Sequence, residues 1–232
     1  MPFSKLGLSP ALLHVLASHN YTRPYPIQQE VIPAILNNND VLGIAPTGSG
    51  KTASYVLPIL TNLQRATGSK NRHINVLVLA PTRELAMQVS DVFKLFSPSL
   101  PQKVKTLAVF GGASINPQMM ALRGVNVLIA TPGRLLELVE ANAVHLSSIQ
   151  TLVLDEADKM LNLGFKEEMD RIFSLLPAVR QNLLFSATLS NDVNNITQFL
   201  LRDPLVFKIE PEIESIDLIT QLGYFVTNEK KG

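Results

Sequence analysis

The sequence predicts an α/β fold: a mostly parallel sheet of about seven strands with helices on both faces. Three observations carry this. Seven short apolar runs recur along the 232 residues, and most are continuously apolar rather than alternating, the pattern of strands covered on both sides. Segments with helical periodicity separate them, and strand–helix alternation of this kind gives a doubly wound sheet. One Gly-rich stretch lies directly between such a run and a helix-forming segment, where ligands bind in folds of this class.

Taken in order, the runs are Val41–Ala45, Asn75–Ala80, Lys105–Val109, Asn126–Ala130, Gln150–Leu154, Asn182–Ser186 and Leu205–Ile209. Between them, Leu85, Val89, Val92, Phe93 and Phe96 form one helical stripe, and Phe165, Met169, Ile172, Phe173 and Leu176 another. Pro33 and Pro58 fall inside periodic segments, where a proline typically costs ~3 kcal/mol or kinks the helix. Both helices are kept, with bends or early ends expected there.

Composition narrows the function. A hydrophobic fraction of 46% with 17% charged residues suits a soluble α/β domain. The net charge is +1, so any contact with a polyanion rests on local arrangement and not on a basic field. Absence of cysteine excludes disulfides and thiolate metal sites. His14, His19, His73 and His145 are scattered without the spacing of zinc ligands. The start, Met1-Pro2-Phe3-Ser4-Lys5, lacks an apolar signal core, and no run approaches membrane-spanning length. A soluble, cytoplasmic monomer is expected.

The Gly-rich stretch reads Ala45-Pro46-Thr47-Gly48-Ser49-Gly50-Lys51-Thr52. A strand, a Gly-rich turn and a helix make a phosphate cradle, because the N–H groups of the turn and of the helix N-terminus converge on one spot. Lys51 is placed to reach the outer phosphates and the Thr52 hydroxyl to sit on magnesium. The strict pattern has Gly where this chain has Ala45. A loop that is merely rich in Gly and Thr is the plainer alternative.

Upstream, Asn20-Tyr21-Thr22-Arg23-Pro24-Tyr25-Pro26-Ile27-Gln28-Gln29 begins with a stiff extended segment, and Pro26 suits the first turn of a helix. Gln28 carries an amide that donates and accepts together, as recognition of an adenine edge requires. Phe3 and Tyr21 offer apolar or stacking surface for a base. A helix-capping loop with core aromatics explains the same residues.

Three further strand-to-helix turns follow: Pro81-Thr82-Arg83-Glu84-Leu85, Gly111-Gly112 and Thr131-Pro132-Gly133-Arg134. Each offers free N–H groups, a hydroxyl or an arginine at one edge of the sheet. Singly they are ordinary turn chemistry; in a row they can track a sugar-phosphate backbone.

Asp155-Glu156-Ala157-Asp158 comes directly after the apolar run Thr151–Leu154. A carboxylate at such a strand end holds magnesium, usually through water, and a second beside it orients and deprotonates an attacking water. Asp155 takes the metal role and Glu156 the base. An acidic helix N-terminus, favoured by the dipole, accounts for one acid but less well for three in four residues. Ser186-Ala187-Thr188 ends another strand, with hydroxyls able to link to Asp158. Lys166-Glu167-Glu168 and Lys230-Lys231 read as solvated charge.

Together these residues resemble the DEAD-box family of ATP-dependent RNA helicases, with a likeness to its bacterial RhlE-like branch. Tyr21 to Gln28 match the family's Q motif, Phe3 standing seventeen residues ahead of Asn20. Ala45 to Thr52 match motif I, which in this family commonly begins with Ala. Pro81 to Leu85, Gly111-Gly112, Thr131 to Arg134, Asp155 to Asp158 and Ser186 to Thr188 follow in the family's order. Asn20 departs from it, standing where the family usually has Gly.

The resemblance implies a three-layer RecA-like domain over residues 1–209, the first of two lobes that close around ATP, Mg2+ and single-stranded RNA. It implies ATP contacts from Phe3, Tyr21, Arg23, Gln28, Thr47, Gly48, Ser49, Gly50, Lys51 and Thr52. Lys51, Asp155 and Glu156 would be catalytic, with Thr52 and Asp155 serving the metal. RNA-backbone contacts would come from Arg83, Gly112, Thr131, Gly133 and Arg134, and coupling from Asp158, Ser186 and Thr188. No His-Arg-x-Gly-Arg-like segment occurs, so the second lobe's arginine fingers, worth roughly 10³ to 10⁵ in rate, would be missing. Residues 210–232 read as a linker, Pro211 to Ser215, followed by an orphan strand, Ile219 to Val226, of the missing lobe.

Two other readings compete with that of the catalytic lobe. One is a stand-alone nucleotide- or RNA-binding module; the other is a different phosphate-loop ATPase such as a DNA-directed motor, against which Gln28 argues.

Overall fold

The computed structural model describes residues 1–65, 73–98 and 100–210. The expected linker and orphan strand, and Lys230-Lys231, lie outside the described residues. Each apolar run becomes a strand within one residue or so of its expected ends: β1 (Val41–Ile44), β2 (Val76–Leu79), β3 (Thr106–Val109), β4 (Val127–Ala130), β5 (Thr151–Leu154), β6 (Gln181–Ser186) and β7 (Leu205–Lys208). They form one sheet in the order β3-β4-β2-β5-β6-β1-β7. Every pairing is parallel, so the sheet is more uniform than "mostly parallel".

Parallel pairing needs a crossover after each strand, and helices supply it. They are α1 (Pro10–Ser18), α2 (Pro26–Leu36), α3 (Lys51–Arg65), α4 (Arg83–Phe96), α5 (Ile115–Ala121), α6 (Pro132–Glu140), α7 (Ala157–Asn162), α8 (Lys166–Ser174) and α9 (Asn191–Leu200). Because side chains alternate along a strand, the sheet feeds two cores. Val41, Val76, Val78, Val153, Leu183 and Phe185 pack with α1 to α4. Leu42, Leu77, Leu79, Leu152, Leu154 and Leu184 pack with α6 to α9. The result is the three-layer, RecA-like arrangement expected.

The strand ends at the rims behave differently. Leu205 and Val206 on edge strand β7 are exposed, as expected for an edge with one paired neighbour.

The two prolines do not end their helices as early as expected. α3 continues seven residues past Pro58, and α2 three past Pro33. Both prolines sit in helices whose surroundings are buried core, Val31, Ile32 and Ile35 around one, Leu57 and Ile59 around the other. Tertiary burial outweighs the lost backbone hydrogen bond.

Since all strands run the same way, all their C-terminal ends meet at one rim. The strand order then sorts the motifs. β5, β6 and β1 are adjacent, bringing Asp155, Ser186 and the Ala45 loop side by side. β3, β4 and β2 are adjacent, bringing Gly111, Thr131 and the Thr82-Arg83 turn together.

Candidate functional site

At the rim beside β1 and β5 lies a cleft of about 400 Å³. Its floor is the loop after β1: Thr47, Gly48, Gly50, Lys51 and Thr52 line it, with Asp155 and Glu156 opposite. Gly48 and Gly50 have φ of 82° and 87°, left-handed values that glycine adopts without strain. Ser49 closes the turn, its hydroxyl donating to the Pro46 carbonyl at 2.8 Å. The Lys51 ammonium, itself buried, donates to the carbonyls of Ala45 and Pro46. Burial lowers its pKa, opposed by the charges of Asp155, Glu156 and Asp158. An ammonium held by neutral carbonyls can exchange one of them for a phosphate oxygen, a charged and stronger acceptor.

The segment ahead of α2 forms another wall, with Tyr21, Tyr25 and Gln28 lining the cleft. Gln28 is buried at 1% exposure. Its Oε1 accepts the Tyr25 N–H at 3.0 Å, the capping arrangement that was one of the two readings of this residue. Its Nε2 donates to the Gly50 carbonyl at 3.1 Å, which leaves one N–H and one lone pair of the amide uncommitted. Tyr21 leans edge-on against Phe96, ring centroids 5.4 Å apart. Asn20 has φ of 60°, a left-handed value that Asn tolerates and that accounts for Gly at this position in the family it resembles.

Two upstream residues are placed elsewhere. Phe3 sits in a short 3-10 turn, 6% exposed, within the core shared with α1 and α2, and does not line the cleft. Arg23 is exposed on the extended segment and is likewise outside the lining. Leu85, Gln88 and Val92 of α4 do line it; sequence reasoning placed Leu85 and Val92 in a packing stripe and did not single out Gln88.

Asp155 stands at the tip of β5, 2% exposed. Burial, reinforced by neighbouring Glu156, raises its pKa to about 6, although hydrogen bonding to Tyr55 and the charge of Lys51 pull the other way. The Tyr55 hydroxyl donates to Asp155 Oδ2 at 2.7 Å. Glu156 has φ 53° and ψ 52°, a strained conformation for a residue with a Cβ and one that clusters at functional sites. Its carboxylate pairs with Lys159 at 2.7 Å. Behind it, Thr188 Oγ1 donates to Asp158 Oδ2 at 3.0 Å, and Ser186 Oγ donates to the Thr188 carbonyl at 2.7 Å.

The donor set facing the cleft is oxygen only: Thr52, Asp155 and Glu156. That chemistry fits a hard divalent cation such as magnesium carried with a phosphate chain. No group of three or more His, Cys, Asp or Glu among the described residues could cage a metal alone.

The neighbouring rim has its own structure. The Arg83 guanidinium lies 4.7 Å over the Phe110 ring, a cation–π contact. The Thr131 hydroxyl receives the Gly111 N–H at 3.4 Å. Gln118 clamps the loop between them: its Oε1 accepts the Phe110 N–H at 3.0 Å, and its Nε2 donates to the carbonyls of Phe110 and Ser114, each at 3.2 Å. Gly112 and Gly133 face open space, nothing lying within 4 Å of a Cβ added there, so a backbone could approach theirs closely. Arg134 is 6% exposed; its Nε donates to Glu137 at 2.9 Å and one terminal nitrogen to the Ala113 carbonyl at 2.8 Å, while the other terminal nitrogen has no partner among the described residues. It ties α6 to the loop after β3. Phe110 and Gln118 were missed by sequence reasoning; the only signal for Gln118 was a polar residue in a short helix after a double glycine.

No helix among the described residues is long and apolar enough to cross a membrane.

The comparisons agree with this geometry. A model of the DEAD/DEAH box helicase family matches residues 25–196. The chain is similar to the ATP-dependent RNA helicase DeaD of Haemophilus influenzae, 39% identical over 99% of this chain and 37% of that protein. It is also similar to the DEAD-box ATP-dependent RNA helicase RhpA of Helicobacter pylori, 40% identical over 99% of this chain and 45% of the relative. The chain thus spans less than half the length of these curated relatives. Among solved structures, a DEAD box protein from the hyperthermophile Methanococcus jannaschii superimposes with a TM-score of 0.83 and 34% identity, covering 90% of this chain and 56% of that one.

Proposed function

The chain belongs to the DEAD/DEAH box helicase family, and from that premise we propose that it is the nucleotide-binding lobe of an ATP-dependent RNA helicase. The observation that carries this reading is one cleft lined by the Thr47–Thr52 loop, by Gln28 and by Asp155 and Glu156.

Each residue then has a task. The uncommitted N–H and lone pair of Gln28 read the adenine edge, with Tyr21 and Tyr25 as apolar wall. Loop amides from Thr47 to Gly50 and the Lys51 ammonium bind the phosphates, Lys51 exchanging its own-loop carbonyls for them. Thr52 and Asp155 hold magnesium, partly through water, and the bound ion neutralises charge on the phosphate oxygens. Glu156 orients the attacking water and accepts its proton. Thr188, held on Asp158, reports the state of this site to the strand ends beside it.

On the adjoining rim, Arg83, Gly112, Thr131 and Gly133 meet the backbone and 2′-hydroxyls of single-stranded RNA, without reading sequence. Arg134 and Gln118 hold that loop in shape. Residues 1–209 form the lobe, and residues 210–232 lead to a second RecA-like lobe that completes both sites and supplies arginines for turnover. In the whole protein, ATP hydrolysis is coupled to local RNA duplex unwinding.

Nucleotide binding and turnover test the reading together. The chain alone should bind ADP or ATP with magnesium weakly, prefer them over GTP, and hydrolyse almost nothing with or without RNA. Robust RNA-stimulated turnover by these 232 residues would contradict the division of labour between lobes.

A further inference from the structure

Tyr55 stands on α3 one helical turn beyond Lys51 and therefore on the same face. It is wholly buried, its ring packed on Phe185 of β6 with centroids 5.1 Å apart. An apolar ring would fill that space equally well. The hydroxyl has a partner, and the partner is the carboxylate at the tip of β5, 2.7 Å away and 100 residues on in the chain. One buried hydroxyl therefore holds a side chain that the nucleotide reading assigns to magnesium.

We infer that Tyr55 is a positioning residue for metal-dependent nucleotide binding, fixing the Asp155 carboxylate against α3. The inference rests on the nucleotide reading. Geometry supports it at each end. The ring is wholly buried and packed on Phe185, which leaves it no room to swing. The carboxylate, tied at Oδ2, is held in one orientation and has one oxygen not taken by Tyr55. An acid that must receive a metal ion carried in with its ligand gains from being pre-oriented. The hydroxyl costs the site no charge and no volume.

The test uses Tyr55→Phe, which keeps the ring and deletes the hydrogen bond. A fluorescent ADP analogue is titrated into the wild type and the variant, in magnesium chloride and again in EDTA, with thermal melting alongside. The expected result is a gain in affinity from magnesium that is about five- to twentyfold smaller in Tyr55→Phe, the size of one hydrogen bond to a charged group, with EDTA affinities equal. Adding Tyr55→Phe to Asp155→Asn should then cost nothing further, since the two act through one contact. Equal losses in magnesium and EDTA, no loss at all, or an additive loss in the double variant would overturn the assignment of Tyr55. If the wild type itself gains nothing from magnesium, the nucleotide reading fails and takes this inference with it, an outcome distinct from the others.

Discussion

Gln28 donates to the carbonyl of Gly50 at 3.1 Å, tying the first turn of α2 to the phosphate loop 22 residues away. The same amide receives the Tyr25 N–H at 3.0 Å, so one buried side chain fixes the entrance of the cleft to its floor. On the proposed reading, loop shape and adenine recognition are therefore properties of a single residue.

Gln28→Ala should lower both. It leaves a buried N–H and a carbonyl without their partner, a loss of about 1–3 kcal/mol in stability. The ATP-over-GTP preference should disappear with it. Thermal melting and competition between the two nucleotides measure the two effects separately; a preserved preference removes Gln28 from base recognition while leaving its structural role.

Gly48 and Gly50 share a left-handed φ but differ in surroundings. A Cβ on Gly50 would meet Gln28 Nε2 at 2.5 Å and Tyr25 Cδ2 at 2.9 Å, whereas one on Gly48 meets nothing within 4 Å. Gly48→Ala should cost only the backbone strain, about 1–2 kcal/mol. Gly50→Ala adds displacement of Gln28, and its nucleotide affinity should fall well below that of Gly48→Ala. Equal behaviour of the two variants would show that the Gln28 contact is dispensable.

Asp155 predicts an inverted pH dependence of stability. Its pKa in the fold is about 6 against an ordinary 3.8, so the folded chain holds this proton more tightly than the unfolded one. Stability is full below the ordinary value and is lost as pH rises through about 6. Burial dominates: the Tyr55 hydroxyl and the Lys51 ammonium, both from α3, favour the ionised form, while Glu156 beside it disfavours it. In EDTA, Asp155→Asn should melt above the wild type at pH 7.5, by up to about 3 kcal/mol in stability, and the difference should shrink toward pH 4. A variant that is less stable than the wild type at pH 7.5 contradicts this.

Arg83 and Gln118 should separate charge from shape on the neighbouring rim. Arg83→Ala removes the cation of the proposed RNA contact and should lower the salt slope of single-stranded RNA binding by roughly one. Gln118→Ala only frees the Phe110–Ser114 loop; affinity should drop about three- to tenfold with the salt slope unchanged. Anisotropy titrations at two salt concentrations give both numbers, and ADP affinity should be the same in both variants.

What the sequence made legible follows from the range over which each signal acts. Strands buried on both faces must be apolar throughout, so runs such as Val76–Leu79 announced themselves and their boundaries. The motif residues sit at strand ends, and parallel pairing carries those ends to one rim. Contacts between distant residues left no local trace. Nothing in the sequence singles out Tyr55 as the partner of Asp155, or Asp40 as a joint between strands. In the fold Asp40 accepts the Asn182 N–H and side chain and the Arg202 N–H, stitching β6 and the approach to β7 onto the start of β1. The contacts of Arg134 with Glu137 and the Ala113 carbonyl were likewise not legible, since the Ala113 contact spans 21 residues.

The claim on which the rest depends is that nucleotide and magnesium bind together between the Lys51 loop and Asp155. Calorimetric titration of ADP with magnesium into the wild type and Lys51→Ala tests it most directly. The expected result is saturable one-to-one binding to the wild type that weakens at least about tenfold in Lys51→Ala, with melting in the absence of nucleotide little changed. Equal affinity of the two proteins for magnesium–ADP would contradict it.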